Sequence, residues 1–293
     1  MNFKITAYST ALFSTWINVE ELNLLIDAGD GIAAGLLQKS RKIKHVFITH
    51  PDRDHLTGLL QFNQLNARAG FPKIYYPQDS GSFPAMQDFQ IKFDPHVKGT
   101  EWIGIKDQDE ISLNKQFAIK AIRNEHIKVP IGTHKSLSYK LFEVKKKLKP
   151  EFQQLDGTEI KKLVDEKGRD FISNEIRTNL ISFSGDTPVD DYEKWNHSKI
   201  LIHECTFLKD ECDAQMESKE RNKHSRIDEV FKMVSEIEVE KLILNHFSSR
   251  YSNEVIKSTI LKMCKKYNIT IPVYAICPGE IARDILNTAP LNS

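Results

Sequence analysis

From His45 to His55 the chain reads His-Val-Phe-Ile-Thr-His-Pro-Asp-Arg-Asp-His. Four side chains able to hold a metal ion, His50, Asp52, Asp54 and His55, fall within six residues. Imidazole and carboxylate suit zinc and related divalent ions, and three or four such ligands with one position open make a catalytic site. His134, Asp186 and His246 stand alone in the sequence, but each lies beside an apolar run. Seven donors suffice for two ions if one carboxylate, Asp186, bridges them. A pair of ions about 3.5–4 Å apart can bind a hydroxide and clamp a phosphoryl oxygen. Taken singly, His134 or His246 reads as an ordinary polar residue, and Asp186 as a turn residue or helix cap. Beside the cluster at 50–55, a shared metal site is the better reading.

Bringing these groups together requires strands that end at one edge. Lys44–Thr49 is an apolar, β-branched run broken at Pro51, which predicts a buried strand over 45–50 and a helix starting near Asp54. Before it, residues 2–29 read as three short strands, the last ending in the turn Asp27-Ala28-Gly29-Asp30-Gly31, and 32–38 as a short helix. Strands are expected at 73–77, 102–105, 117–122 and 136–143, with a helix at 83–93. Residues 144–177 turn polar and basic, with a helix at 157–167. The strand–loop–helix rhythm then resumes: strands at 179–183, 200–203, 242–245 and 271–276, a polar loop around 209–225, and helices at 226–238, 253–267 and 279–287. This order suits two sheets packed face to face with helices outside, each half of the chain giving one sheet. Polar residues after the strands would gather at one rim.

Composition narrows the possibilities. Among 293 residues, 41 Lys and Arg balance 40 Asp and Glu, so no global charge pulls the chain toward nucleic acid. The amino terminus reads as a strand rather than a signal peptide, and no apolar run approaches the ~20 residues that span a bilayer. The four cysteines, Cys205, Cys212, Cys264 and Cys277, show no paired close spacing. A reducing cytoplasm is the expected location, with no membrane partner.

Three segments, His50-x-x-x-Asp54-His55, Ser184-Gly185-Asp186-Thr187 and Leu244-x-His246-Phe247-Ser248-x-Arg250-Tyr251, resemble the metallo-β-lactamase fold. Within that fold the sequence is most similar to ribonuclease Z, the endonuclease that trims tRNA 3′ ends. Ile202-His203-Glu204-Cys205-Thr206-Phe207 resembles its His-Glu-Ala-Thr-Phe segment, and Lys223-His224-Ser225 its His-Ser-Thr segment. The resemblance implies an α/β, four-layer αβ/βα sandwich, with residues 1–293 as one domain carrying a basic insert at about 144–177. It implies two divalent metal ions, zinc first, one held by His50, Asp52, His134 and Asp186 and the other by Asp54, His55, Asp186 and His246. Asp54 would also orient the attacking hydroxide. Glu204 and His224 would form a pair in which the carboxylate raises the imidazole pKa, so that the imidazolium protonates the departing 3′ oxygen. Read without the resemblance, Glu204 is a buried salt-bridge partner and His224 a loop residue. Asp27 reads as a brace for the ligand loop, and His45, His96, His126 and His197 as surface or packing residues. The implied partners are RNA or a small phosphodiester, and the resemblance suggests a homodimer.

Three departures bear on these expectations. Asp52 stands at the second histidine of the family's His-x-His-x-Asp-His pattern. An aspartate reaches less far and is a harder ligand, so manganese, iron or magnesium would compete with zinc. His134 stands five residues before Tyr139, a shorter spacing than in the family, which leaves His126 as the fallback ligand. The arm with which ribonuclease Z grips tRNA carries a Gly-Pro motif; residues 144–177 have Lys145-Lys146-Lys147, Lys149 and Lys161-Lys162 but no Gly-Pro. Such a lysine run reads equally as a solvated face or as an electrostatic RNA contact. The rival activities are hydrolysis of a small ester, lactone or cyclic nucleotide on the same site, or a non-catalytic relative with a degraded metal site.

Overall fold

The computed structural model describes residues 3–208 and 224–293. All but the last two residues of the expected polar loop at 209–225 lie outside this set, as do Cys212 and Lys223. Strands β1 (Ile5–Thr10), β2 (Ser14–Val19), β3 (Leu24–Ile26), β4 (His45–Phe47), β5 (Lys73–Pro77) and β6 (Glu101–Ile105) form one sheet in that order. The second sheet contains β7 (Glu110–Ser112), β8 (Phe117–Arg123), β9 (Leu137–Leu148), β10 (Ser173–Phe183), β11 (Ser198–Glu204), β12 (Val239–Asn245) and β13 (Val273–Ala275), paired in sequence order.

The period-two alternation of a strand accounts for the layers, because both faces of each sheet are covered. In β3, Leu24 and Ile26 enter the core between the sheets while Leu25 enters the core under the helices. In β11, Ile200 and Ile202 face the other sheet, and Leu201 faces outward. Helices α1 (Ile32–Leu36), α3 (Leu59–Asn66) and α4 (Ser82–Phe93) cover the first sheet with Ile32, Leu36, Leu59, Phe62 and Phe83. Over the second sheet lie α7 (Ile227–Glu236) and α8 (Asn253–Lys266). Ile227, Val230, Phe231 and Val234 form one buried stripe of α7 at helical spacing. The result is the expected αβ/βα sandwich. Among the described residues no helix is long and apolar enough to cross a membrane.

The helix expected at 279–287 is reduced to a single 3-10 turn at Ile285–Asn287, and three further local expectations differ. The strand expected over 45–50 ends at Phe47. The helix expected from Asp54 is split into α2 (Arg53–Leu56) and α3, because the chain at Gly58 runs against the Asp27–Gly31 turn. The Gly58 amide donates to the Ala28 carbonyl at 2.8 Å, and a Cβ there would overlap the Gly29 carbonyl. The basic segment 144–177 is flanked by strands longer than expected. Val144–Leu148 pairs with Ser173–Arg177 as a ribbon, and α5 (Gly157–Lys167) and α6 (Arg169–Ile172) lie between its two strands in sequence. Most side chains of this ribbon are exposed or half-buried, so the in–out alternation that marks a strand in sequence is missing.

The arrangement that matters for chemistry is at one rim. Strands β3 and β4 are parallel, as are β10, β11 and β12, so within each sheet their carboxyl ends lie together. The sheets are joined there: Tyr139 Oη donates to the Ile48 carbonyl at 2.6 Å, and the Leu137 amide to the Thr49 carbonyl at 2.8 Å.

Candidate metal centre

Beyond Phe47 the backbone leaves the sheet because a side chain replaces the next strand as its partner. The Thr49 amide donates to Asp27 Oδ1 at 2.7 Å instead of to a ladder carbonyl. Thr49 Oγ1 lies 2.9 Å from Asp27 Oδ2. The same oxygen is 2.8 Å from His55 Nδ1. One buried carboxylate thus fixes both ends of the ligand turn. Asp27, Gly185 and His246, just past β3, β10 and β12, have φ values of 56°, 58° and 60°. That left-handed region is disfavoured for aspartate and histidine and is held only by surrounding structure. Asp27→Ala should therefore cost about 3 kcal/mol of stability, because it orphans a buried amide and a buried imidazole. Urea unfolding with a fixed m-value measures it.

Each imidazole at the rim is anchored through one nitrogen. His50 Nδ1 lies 2.9 Å from Thr49 Oγ1, and His246 Nδ1 lies 3.0 Å from Thr206 Oγ1. With His55 Nδ1 on Asp27, three Nε2 atoms are left to converge. His55 Nε2 and His246 Nε2 each stand 3.3 Å from Asp186 Oδ2 and 3.4 Å from one another. Asp54 Oδ2 is 3.2 Å from His246 Nε2 and 3.6 Å from His55 Nε2. On the other side, His50 Nε2 is 3.6 Å from both Asp186 Oδ2 and Asp52 Oδ2. His126 Nε2 is 3.5 Å from Asp52 Oδ2.

These separations decide between two readings. Ligand atoms about 2.1 Å from a tetrahedral ion lie about 3.4 Å apart, whereas hydrogen-bonded nitrogen and oxygen sit at about 2.9 Å. Most of the distances match the ion. His50 Nε2 is moreover fully buried with no hydrogen-bond partner, a costly arrangement for a polar atom unless a ligand meets it. The residues fit a divalent metal.

Protonation agrees. Burial penalises the Asp54 carboxylate, but the His246 hydrogen bond and the charge of His55 outweigh it and bring the pKa down to about 2. Asp186 is fully buried, yet the charges of His246 and His55 hold it well below the usual carboxylate range. The hydrogen bond to His126 and the neighbouring His50 imidazole lower Asp52. Burial, together with neighbouring His55 and His126, pushes His50 below the ordinary imidazole value, which keeps it neutral. His55 is driven the other way: burial opposes the charge, but Asp186 and Asp27 raise it well above that value. A metal at its Nε2 would displace that proton, so binding is proton-linked.

Next to Asp186 sits a second arrangement. His224 Nδ1 is 3.1 Å from Glu204 Oε1 and 3.9 Å from Asp186 Oδ2. Glu204 is buried with every oxygen occupied: Oε1 accepts from the Thr187 and Ser225 amides, each at 3.0 Å, and Oε2 from the Thr206 amide at 3.1 Å and hydroxyl at 2.7 Å. Such a carboxylate cannot rotate away. Burial lowers the His224 pKa, but the Glu204 charge and hydrogen bond dominate and raise it to about 9. Its share of stability is therefore full below the unfolded value near 6.5 and is lost as pH rises through about 9.

The structure brings His50, Asp52, Asp54, His55, Asp186 and His246 together, with Glu204 and His224 adjoining. It does not bring His134. That residue's amide donates to Asp79 Oδ2 at 2.7 Å and its Nδ1 accepts from the Asp107 amide at 3.4 Å, which ties it to the loops after β5 and β6. His126 stands beside Asp52 and His50 instead. The signal for it was in the sequence: His126 follows β8 by three residues, as Asp186 follows β10. His96 and His197 are exposed, and His45 is buried against Tyr75. Sequence reasoning missed Thr49 and Thr206, whose hydroxyls hold ligand rings; Thr206 stands in the segment resembling His-Glu-Ala-Thr-Phe, whereas Thr49 belongs to no such segment.

Comparison with known proteins agrees with this fold. A family described as a beta-lactamase superfamily domain matches residues 22–247. The chain is 26% identical over 286 residues to the chloroplastic tRNase Z TRZ2 of Arabidopsis thaliana, covering 92% of this chain and 74% of that protein. It is 28% identical to a ribonuclease Z of Archaeoglobus fulgidus, covering 83% of each. Among solved structures it is similar to the metallo-beta-lactamase fold protein YhfI from Bacillus subtilis, with a TM-score of 0.62, 14% identity, and coverage of 96% of this chain and 99% of that one.

Proposed function

The chain belongs to the beta-lactamase superfamily and is a metal-dependent hydrolase, and from that premise we propose a ribonuclease Z-like phosphodiesterase that cleaves RNA, with tRNA precursors as leading substrate. Two divalent ions, zinc first, would be held by His50, Asp52, His126 and Asp186 and by Asp54, His55, His246 and Asp186. When bound, such a pair lowers the pKa of a water and neutralises charge on the phosphoryl group.

The chain's own side chains supply the rest. Asp54, ionised and held by His246, orients the attacking water. His224 is an imidazolium at neutral pH, with Nδ1 fixed on Glu204, so Nε2–H is the atom that donates to the departing 3′ oxygen. The observation that carries the phosphodiester reading is this Glu204–His224 pair beside Asp186. An alkoxide leaving group such as a 3′ oxygen needs a proton donor, whereas an activated aryl ester makes little use of one. The basic segment 144–177 adds support for RNA: Lys147 and Lys161 are exposed and make no ion pair among the described residues. Affinity from such lysines is steeply salt-dependent.

Rates on a tRNA precursor, bis-p-nitrophenyl phosphate and a lactone test the reading, and RNA should be cleaved with the highest kcat/KM. The basic limb of the RNA pH profile should lie near 9, where His224 loses its proton. Glu204→Gln removes the charge that holds the proton, so the limb should move down by at least about one unit. A preferred lactone, or a limb indifferent to Glu204→Gln, would refute the assignment.

A further inference from the structure

The turn between β1 and β2 is Ala11-Leu12-Phe13, and the Leu12 and Phe13 side chains are 87% and 63% exposed. Single apolar residues on a surface need no explanation. These two are adjacent, and their backbone is fastened to the metal centre from two sides. The Leu12 amide donates to Asp54 Oδ2 at 2.9 Å. The Ala11 amide donates at 3.1 Å to the carbonyl of Phe247, the residue after His246, and the Phe13 amide closes the turn on the Thr10 carbonyl at 3.0 Å. Leu12 also has a φ of 70°, a left-handed conformation that is sterically disfavoured for leucine. A strained backbone conformation at a functional rim is a reason to look for a role.

We propose that the Leu12–Phe13 turn is a stacking platform for the nucleobase that adjoins the scissile phosphate, an inference that rests on the RNA-cleaving reading above. The turn lies one hydrogen bond from Asp54, so whatever part of the substrate covers it adjoins the reacting phosphate. From Thr10 to Thr15 the chain carries no charge, and it cannot pair with the phosphate backbone. An aromatic ring beside a branched apolar side chain suits the face of a base instead, without regard to base identity, because every base presents a π-face. The platform sits on the Asp54–His246 side of the site, where backbone hydrogen bonds hold it in place.

The experiment uses the full metal-loaded chain and two oligoribonucleotides identical except for an abasic residue flanking the scissile bond. Phe13→Ser should lower kcat/KM on the intact strand about tenfold, chiefly through KM, and leave the abasic strand unaffected. Phe13→Trp should restore the intact-strand value. Leu12→Asn, which tolerates the left-handed backbone, should weaken the intact strand alone while its melting temperature holds or rises. Equal losses on both strands, or none, would overturn the platform while leaving the RNA reading in place. A wild-type chain that hydrolyses phosphodiesters but cleaves neither strand would overturn both.

Discussion

Asp186→Asn is expected to empty both metal positions and to lower kcat on RNA by roughly 10³-fold or more. The reason is geometric: Asp186 Oδ2 lies within 3.6 Å of His50, His55 and His246 Nε2 alike. An amide is isosteric but neutral and offers a weaker acceptor. It also removes one of the carboxylates that hold the proton on His55, so the metal-free variant should be less stable than metal-free wild type below the His55 titration. Elemental analysis of the purified chain and single-turnover cleavage read the two effects. His246→Ala should remove ligand atoms from one position only, which makes the contrast between the two variants informative. A variant at Asp186 that keeps both ions would mean that the two positions do not share a bridge.

The second large effect is expected from His224→Ala. Removing a positioned general acid should cost about 10²–10⁴-fold in kcat on RNA, while metal content stays that of the wild type. The loss should depend on the leaving group. Bis-p-nitrophenyl phosphate expels a stabilised phenolate that needs no proton, so its hydrolysis should be nearly unchanged. A loss of equal size on both substrates would mean that His224 positions the ions or the phosphate rather than delivering a proton. The four side-chain and backbone donors that hold Glu204 make the pair rigid, so Glu204→Gln should give the same substrate pattern with a smaller loss.

How much of this was legible in the sequence depends on the element. The 50–55 cluster could be read because its density is improbable on a surface, and Asp186 and His246 because each ends an apolar strand. Two packed sheets with helices outside followed from the order of strands and helices, and the four-layer sandwich from the resemblance to the metallo-β-lactamase fold. The strand over 45–50 was read too long because hydrophobic pattern cannot show that Asp27, twenty-two residues upstream, takes the Thr49 amide. His134 was preferred over His126 although both lie in the connection between β8 and β9. Its position follows from Asp79 and Asp107, which draw the loop toward the first sheet, and no local pattern in the sequence encodes that contact. The ribbon at 144–148 and 173–177 was invisible because its exposed side chains lose the alternation that a buried face would impose. The split at Gly58 belongs to the same class, since a close approach between two turns is a tertiary fact.

Asp52 carries the sharpest departure from the ribonuclease Z pattern. Its side chain is 42% exposed, far more than its neighbours at the rim. A carboxylate that retains contact with water is a harder and more labile ligand than a buried imidazole. In the proposed centre, the position formed by His50, Asp52 and His126 would therefore be the one more open to exchange of its metal. The position formed by Asp54, His55 and His246 is enclosed.

Two ions sharing one carboxylate at the rim of the sandwich are the premise of the proposed chemistry. Anomalous scattering from crystals of the zinc-loaded chain tests that directly. Two peaks are expected, one touching Asp54, His55 and His246, the other touching His50, Asp52 and His126, with Asp186 between them. No peak at these atoms, or a single peak that does not contact Asp186, would contradict it.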